Sequence, residues 1–180
     1  LDGHVPAIVL QAGVIIGSGS ASFEMLRYLT ERLPVMVTPK WVRSRVQPIA
    51  VRDVLSYLTG VLTLDPATNR RFDIGGPDVL TYREMMQRYA SVAGLSHRVI
   101  IPVPVLTPWL SSHWVNVVTP VPKAIAQPLI ESLRNSVVAG EHDIEVLLPF
   151  ELCPFDDAVR LALARIRAAE VVTRWSGASW

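Results

Sequence analysis

Charge is scarce in this chain, and so is cysteine. Of its 180 residues only 18% are Asp, Glu, Lys or Arg, and the formal net charge is +1. So even a balance supplies neither a basic field for nucleic acid nor an acidic tail. The arginines are scattered and not interleaved with aromatic residues, so no base-stacking platform is built. Cys153 is the only cysteine, which excludes an intrachain disulfide and fits a reducing, cytoplasmic setting. Lying between Leu152 and Pro154 with no Cys-x-x-Cys partner, it reads as a small buried hydrophobe.

Metal and hydrolase chemistry lack their spacings as well. His4, His97, His113 and His142 are far apart, and none forms His-x-x-x-His or His-Glu-x-x-His. Glu141-His142-Asp143 brings two carboxylates and an imidazole together, but sequence neighbours do not share a face. A solvated turn is expected there, and no metal. Ser18 and Ser20 do not sit in Gly-x-Ser-x-Gly.

What the chain does have is apolar residues, half of the total. That is enough for one good-sized domain, or for a domain with part of another. Val5 to Ile16 reads as a buried strand, followed by the glycine-rich turn Gly17-Ser18-Gly19-Ser20 and a helix with Phe23, Leu26, Leu29 and Leu33 inward. A helix start can cradle phosphate. However, Gly13, Gly17 and Gly19 do not make Gly-x-Gly-x-x-Gly, and no Lys-Ser or Lys-Thr follows. A strand with a glycine-rich exit is the simpler reading.

Further along, Val35 to Val37 reads as a short strand, Pro39 to Arg45 as a basic loop and Val46 to Ala50 as another strand. Val51 to Leu64 is expected to be helical, with Val54, Leu55, Leu58, Val61 and Leu62 inward. Arg71 to Gly76 is a strand ending in a turn. Thr81 and Glu84 form a capping box, and Gly94 supplies the left-handed stop of the helix they open. His97 to Val103 is a strand. Asp156 and Asp157 favour the start of a last helix with Val159, Leu163 and Ile166 inward. Alternation of strand and helix indicates α/β.

Three stretches in this order resemble one family. Leu10, Gly13, Gly17 and Gly19 match the segment that in extended short-chain dehydrogenases/reductases, the NAD-dependent epimerase/dehydratase family, usually runs leucine-arginine-proline-glycine-x-x-tyrosine-glycine-proline-glycine. Gln11, Ala12, Ile16 and Ser18 depart from it. Within Val46-Gln47-Pro48-Ile49-Ala50-Val51-Arg52-Asp53-Val54, Val51, Asp53 and Val54 match the family's strand-and-turn motif, while Ala50 and Arg52 do not. Phe72-Asp73-Ile74-Gly75-Gly76 is similar to its asparagine-x-glycine-glycine segment. The resemblance covers residues 5 to 104 and is nearest to atypical members with altered catalytic residues.

The resemblance implies the carboxyl-terminal portion of a Rossmann-like domain plus a small α+β substrate-side domain, divided as 1–76 and 77–180. It implies NAD or NADP in an intact parent, with Ala12, Gly13 and Val14 beside the nicotinamide. Ile16, Ser18, Arg43, Arg45 and Trp114 would face a small-molecule substrate. Arginine can hold phosphate or carboxylate through a two-pronged fork; two solvated arginines in a loop is the competing reading. The family's dinucleotide fingerprint and its tyrosine-x-x-x-lysine are both absent: Tyr28, Tyr57, Tyr82 and Tyr89 are followed four residues later by Arg32, Val61, Met86 and Ala93. The chain is therefore expected to be a piece of a longer protein, to hold no catalytic residue, and to bind no cofactor by itself. The alternative is a non-catalytic binding or assembly module of the same fold, using an apolar surface for lipid, quinone or protein. A truncated sheet would also expose a strand edge, which invites self-association.

Val99 to Pro122 carries no Asp, Glu, Lys or Arg and includes Trp109 and Trp114. Its length suits a membrane span. Pro102, Pro104, Pro108, Pro120 and Pro122 oppose one. The expectation is a strand, a helix near Pro108 to Val118 and an apolar wall. The wall could serve as core or interface, as an apolar substrate pocket, or as a membrane-surface contact.

Overall fold

The computed structural model describes residues 7–38, 40–65, 69–102 and 136–168. Trp109, Trp114 and the expected helix near Pro108 to Val118 lie outside them. The elements alternate as β1 (Val9–Ala12), β2 (Val14–Ile16), α1 (Ala21–Arg32), β3 (Val35–Thr38), a 3-10 turn (Lys40–Arg43), β4 (Arg45–Val46), β5 (Pro48–Ala50), α2 (Val51–Gly60), a second 3-10 turn (Val61–Thr63), β6 (Arg71–Ile74), β7 (Leu80–Thr81), α3 (Tyr82–Val92), β8 (Val99–Pro102), α4 (Asp143–Leu147) and α5 (Phe155–Arg167). Three strand pairs are parallel: β1 with β6, β2 with β5, and β3 with β8. The fourth, β4 with β7, is antiparallel.

The first expected strand is in fact a forked one. Residues 9–12 pair with 71–74, then 14–16 pair with 48–50, and Gly13 stands between the two ladders. The expected Val46–Ala50 strand is likewise broken at Gln47. There the chain pairs instead with a later segment: the Gln47 N–H donates to the Val137 carbonyl and the Val137 N–H to the Arg45 carbonyl.

Most buried apolar side chains fall into one core. Phe23, Leu26 and Leu29 of α1 meet Met85, Met86 and Tyr89 of α3, and Phe155, Val159 and Leu163 of α5, over Val14, Ile16, Met36 and Ile100. A smaller core holds Ile49, Tyr57, Phe72, Ile74 and Ile144. Helix ends behave as their residues dictate. The Thr81 hydroxyl accepts from the Glu84 N–H while the Glu84 carboxylate accepts from the Thr81 N–H at 2.7 Å. Gly94 takes φ 72°, the left-handed region that glycine enters without steric cost. The first turn of α5 has no cap of its own: its Phe155 N–H is met by Asp78, a carboxylate 77 residues upstream, at 2.8 Å.

One expected face is met only in part. Val54 and Val61 pack against the smaller core, and Asp53 and Tyr57 are the buried side chains of α2, whereas Leu55 and Leu58 of α2 and Leu62 of the following 3-10 turn, expected inward, are exposed. Asp53 is drawn in because its carboxylate receives the Cys153 N–H at 2.7 Å, which fixes the entry to α5. That rotation turns the leucines outward. Cys153 itself is buried, and burial pushes its thiol pKa up, away from nucleophile chemistry.

Candidate functional site

Parallel strands place their carboxyl ends on one side, and a crevice opens where neighbouring strands part to different partners. The fork at Gly13 is such a place. A crevice of about 310 Å³ lies at the carboxyl ends of β1 and β6, lined by Gln11, Ala12, Gly13, Gln47, Asp73, Ile74 and residues 136–139. Its far wall is the segment that pairs with Gln47. The Gln47 side chain, itself buried, acts as a clasp: its amide nitrogen donates to the Gly76 carbonyl at 2.7 Å, and its oxygen accepts the Ala139 N–H at 3.1 Å. Asp73 fixes the next residue, accepting the Gly140 N–H at 3.0 Å. Gly13 must be small because a Cβ there would stand 2.7 Å from the Val137 side chain.

The electrostatics of this crevice are one-sided. Among the described residues its polar side chains are Gln11, Gln47, Asp73 and Ser136, and no described Lys, Arg or His lines it. It can accept hydrogen bonds through Asp73 and exchange them through the glutamine amides. None of these described side chains neutralises a phosphate.

The expected site residues divide among three places. Ala12 and Gly13 line the crevice. The Val14 and Ile16 side chains are buried in the larger core. Ser18 is half-buried in the turn before α1, and Arg43 and Arg45 are exposed. Trp114 lies outside the described residues.

The start of α1, considered above as a phosphate cradle, is occupied by the chain's own carboxylate. Glu24 is buried, takes a backbone hydrogen bond from Gly19 and pairs with Arg27 at 2.8 Å. Burial raises its pKa, with Arg27 opposing the rise. The Glu141-His142-Asp143 turn is exposed, as expected. Arg70 grips both carboxylates, at 3.1 and 2.8 Å, and so ties α4 to the start of β6. Among the described residues no group of three His, Cys, Asp or Glu could hold a metal.

Gln11, Gln47, Asp73 and Ser136–Ala139 were not singled out from sequence. Gln47 and Asp73 do sit inside the motifs that carried the resemblance. The Ser136–Ala139 wall has no local signal, because it is brought in by pairing across 90 residues of chain.

This geometry defines a Rossmann-like α/β fold with a crevice at the carboxyl ends of β1 and β6, beside the fork at Gly13. Solved structures with the same fold are NAD(P)-dependent reductases and epimerases. The triphenylmethane reductase of Citrobacter sp. superposes at TM-score 0.64 with 20% identity, over 89% of this chain and 54% of that one. Bordetella bronchiseptica WbmG, solved with NAD and UDP, gives 0.61 at 14% identity, over 99% of this chain and 50% of that one. The UDP-glucose 4-epimerase of Thermotoga maritima, solved with UDP-glucose, gives 0.60 at 13% identity, over 91% and 46%. The chain thus spans about half the length of the structures it matches. No family model matches its sequence, and no curated protein does. Among the described residues no helix is long and apolar enough to cross a membrane.

Proposed function

We propose that this chain is the substrate-binding half of an NAD(P)-dependent oxidoreductase or epimerase-like protein, with residues 1–76 belonging to its Rossmann-like domain and 77–180 to its substrate side. The observation that carries the reading is the crevice at Gly13. It lies at the carboxyl ends of a parallel pair, it is floored by the small residues Ala12 and Gly13, and it is edged by two side-chain amides.

These residues fit one end of a nicotinamide dinucleotide. Ala12 and Gly13 leave room for a flat ring, and Gln11 can exchange hydrogen bonds with a carboxamide. Among the described residues that line the crevice, no cation meets the pyrophosphate end. When bound, such a cofactor supplies hydride transfer. The chain's own contribution is to orient the ring against β1 and to close the crevice with 136–139. It offers no proton donor poised for neutral pH among its buried phenols: burial pushes Tyr57 and Tyr82 up to about 12. Ser18, Arg43 and Arg45 are the candidates for the substrate side, with Val14 and Ile16 reaching a ligand only through their backbone. In this reading the protein works in the cytoplasm on a small molecule.

Amide chemical shifts, followed while NADH, NADPH and nicotinamide mononucleotide are titrated, test this. The expected result is weak binding, near the millimolar range set by the missing phosphate anchor. The shifts should be confined to Gln11–Val14, Ile74 and Val137–Ala139. Shifts centred on Gly17–Ser20, or low-micromolar affinity, would sink the assignment.

A further inference from the structure

We infer that the crevice selects its ligand by charge. Resting on the reading that it takes a nicotinamide ring, it binds the oxidised, cationic ring in preference to the reduced, neutral one, and Asp73 sets the preference. The two forms of the ring have nearly the same size and carry the same carboxamide. Steric fit at Ala12 and Gly13 and hydrogen bonding at the glutamine amides therefore separate them little. They differ by one positive charge.

Asp73 is the one charged side chain among the described residues that line the crevice. The ladder puts it there. Gln11 and Asp73 are partners across the parallel pair of β1 and β6. Strand alternation sends them to one face, while Leu10, Phe72 and Ile74 join the smaller core on the other. From β6 the half-buried carboxylate reaches the opposite wall, where its Oδ2 accepts the Gly140 N–H at 3.0 Å. That bond fixes the negative charge at the crevice's edge. The nearby arginines leave it in place. Arg70 is committed to Glu141 and Asp143 at 3.1 and 2.8 Å. Arg71, two positions earlier on the Asp73 face, is exposed and does not line the crevice.

A carboxylate in a half-enclosed site acts on a cation through less water than one on an open surface, and so more strongly. For a ring lying against Ala12 and Gly13 the expected preference is about three- to tenfold at moderate salt. By linkage, a site that prefers the oxidised form lowers the reduction potential of the bound couple. Such a site suits reduction of a substrate rather than its oxidation.

The probes are 1-methylnicotinamide, a cation, and its neutral 1,4-dihydro form, which carry the ring without any phosphate. Each is titrated into the purified chain at constant ionic strength while the amides of Gln11–Val14 and Val137–Ala139 are followed. The oxidised probe should bind about three- to tenfold tighter, and added salt should shrink the gap. Asp73→Asn should abolish the gap and leave the neutral probe's affinity unchanged, because the asparagine oxygen can still accept the Gly140 N–H. Arg71→Gln should leave the gap the same or wider. The salt series needs no variant, so it decides the matter even where Asp73→Asn fails to fold. Equal affinities, a tighter reduced probe, or a gap indifferent to salt or to Asp73→Asn would overturn the inference and leave the nicotinamide reading standing. If neither probe moves these amides, the nicotinamide reading falls and the inference falls with it.

Discussion

The two cores of this molecule are built differently. The larger, among α1, α3 and α5, is held by side chains at zero to a few per cent exposure and by polar ties across long stretches of sequence. Arg88 joins Asp78 to Asp156 at 2.7 and 2.8 Å, and Asp78 caps α5. The smaller core, under β1, β6 and α2, holds far fewer buried side chains and is ringed by half-buried ones. The crevice and the bare leucine face both belong to this thinner side. A packed half supplies rigidity, and the half with less to bury keeps surface available for ligands and partners.

The sharpest way to break this comparison is to empty each core in turn. Phe23→Ala, at a fully buried ring in the larger core, should cost about 3–5 kcal/mol in urea unfolding. Ile144→Val in the smaller core should cost about 0.5–1.5 kcal/mol and should show first as faster hydrogen exchange in β6. Equal global effects, scaled to the volume removed, would mean that the cores are one cooperative unit.

A smaller effect is expected at the tie to α5. Asp78→Ala removes the partner of the Phe155 N–H and one partner of Arg88, and should cost about 1–3 kcal/mol. These bonds hold the Asp78 carboxylate below the usual carboxylate range even though burial, the largest single influence, acts the other way. A lowered folded pKa gives stability that is present above the unfolded carboxylate range and lost as pH falls through the folded value. The acid limb of a stability profile should therefore flatten in Asp78→Asn. An unchanged profile would show that the tie contributes nothing.

Similar in size but more local is the effect of Gly13→Ala at the fork. It forces Val137 aside and should cost about 1–3 kcal/mol as overpacking. Amide shifts should be confined to the crevice, with α3 and α5 unmoved. At the alkaline end the two cores should behave alike. Tyr57 in one and Tyr82 in the other are both pushed up to about 12 by burial. Their contributions are present below about pH 10, the unfolded phenol range, and fade as pH rises toward the folded values. Ultraviolet titration of the phenolates in Tyr57→Phe and Tyr82→Phe would reveal any difference.

How much of this was written in the sequence depended on the range of the interactions. Thr81, Glu84 and Gly94 announce the bounds of α3 because capping is settled within one turn. Val159, Leu163 and the two aspartates announce α5 for the same reason. Period-2 and period-3.6 patterns report that a residue is buried, not against what. Nothing in Val9 to Ile16 therefore betrays that the strand changes partner at Gly13. Likewise the leucines of α2 carry the pattern of a buried face, but Asp53 claims the inner position through a bond to Cys153, 100 residues on. The crevice wall at Ser136–Ala139 is legible only once that long-range pairing is known. The resemblance directed attention to β1, whose Ala12 and Gly13 line the crevice, because its motifs are local. It did not identify Gln47 as the clasp.

The fork at Gly13 also bears on the order of assembly. The crevice draws its walls from near positions 12, 47, 73 and 137, so it closes only after three long stretches of chain have surrendered their freedom. Helices α1 and α3 form through contacts a few residues apart, whereas the wall at 136–139 must wait for the most distant ends to meet. The pocket is therefore expected to be the last feature to mature. A partly folded chain would present its helices and its apolar faces well before it could hold a ligand, and ligand binding would then report completion of the fold.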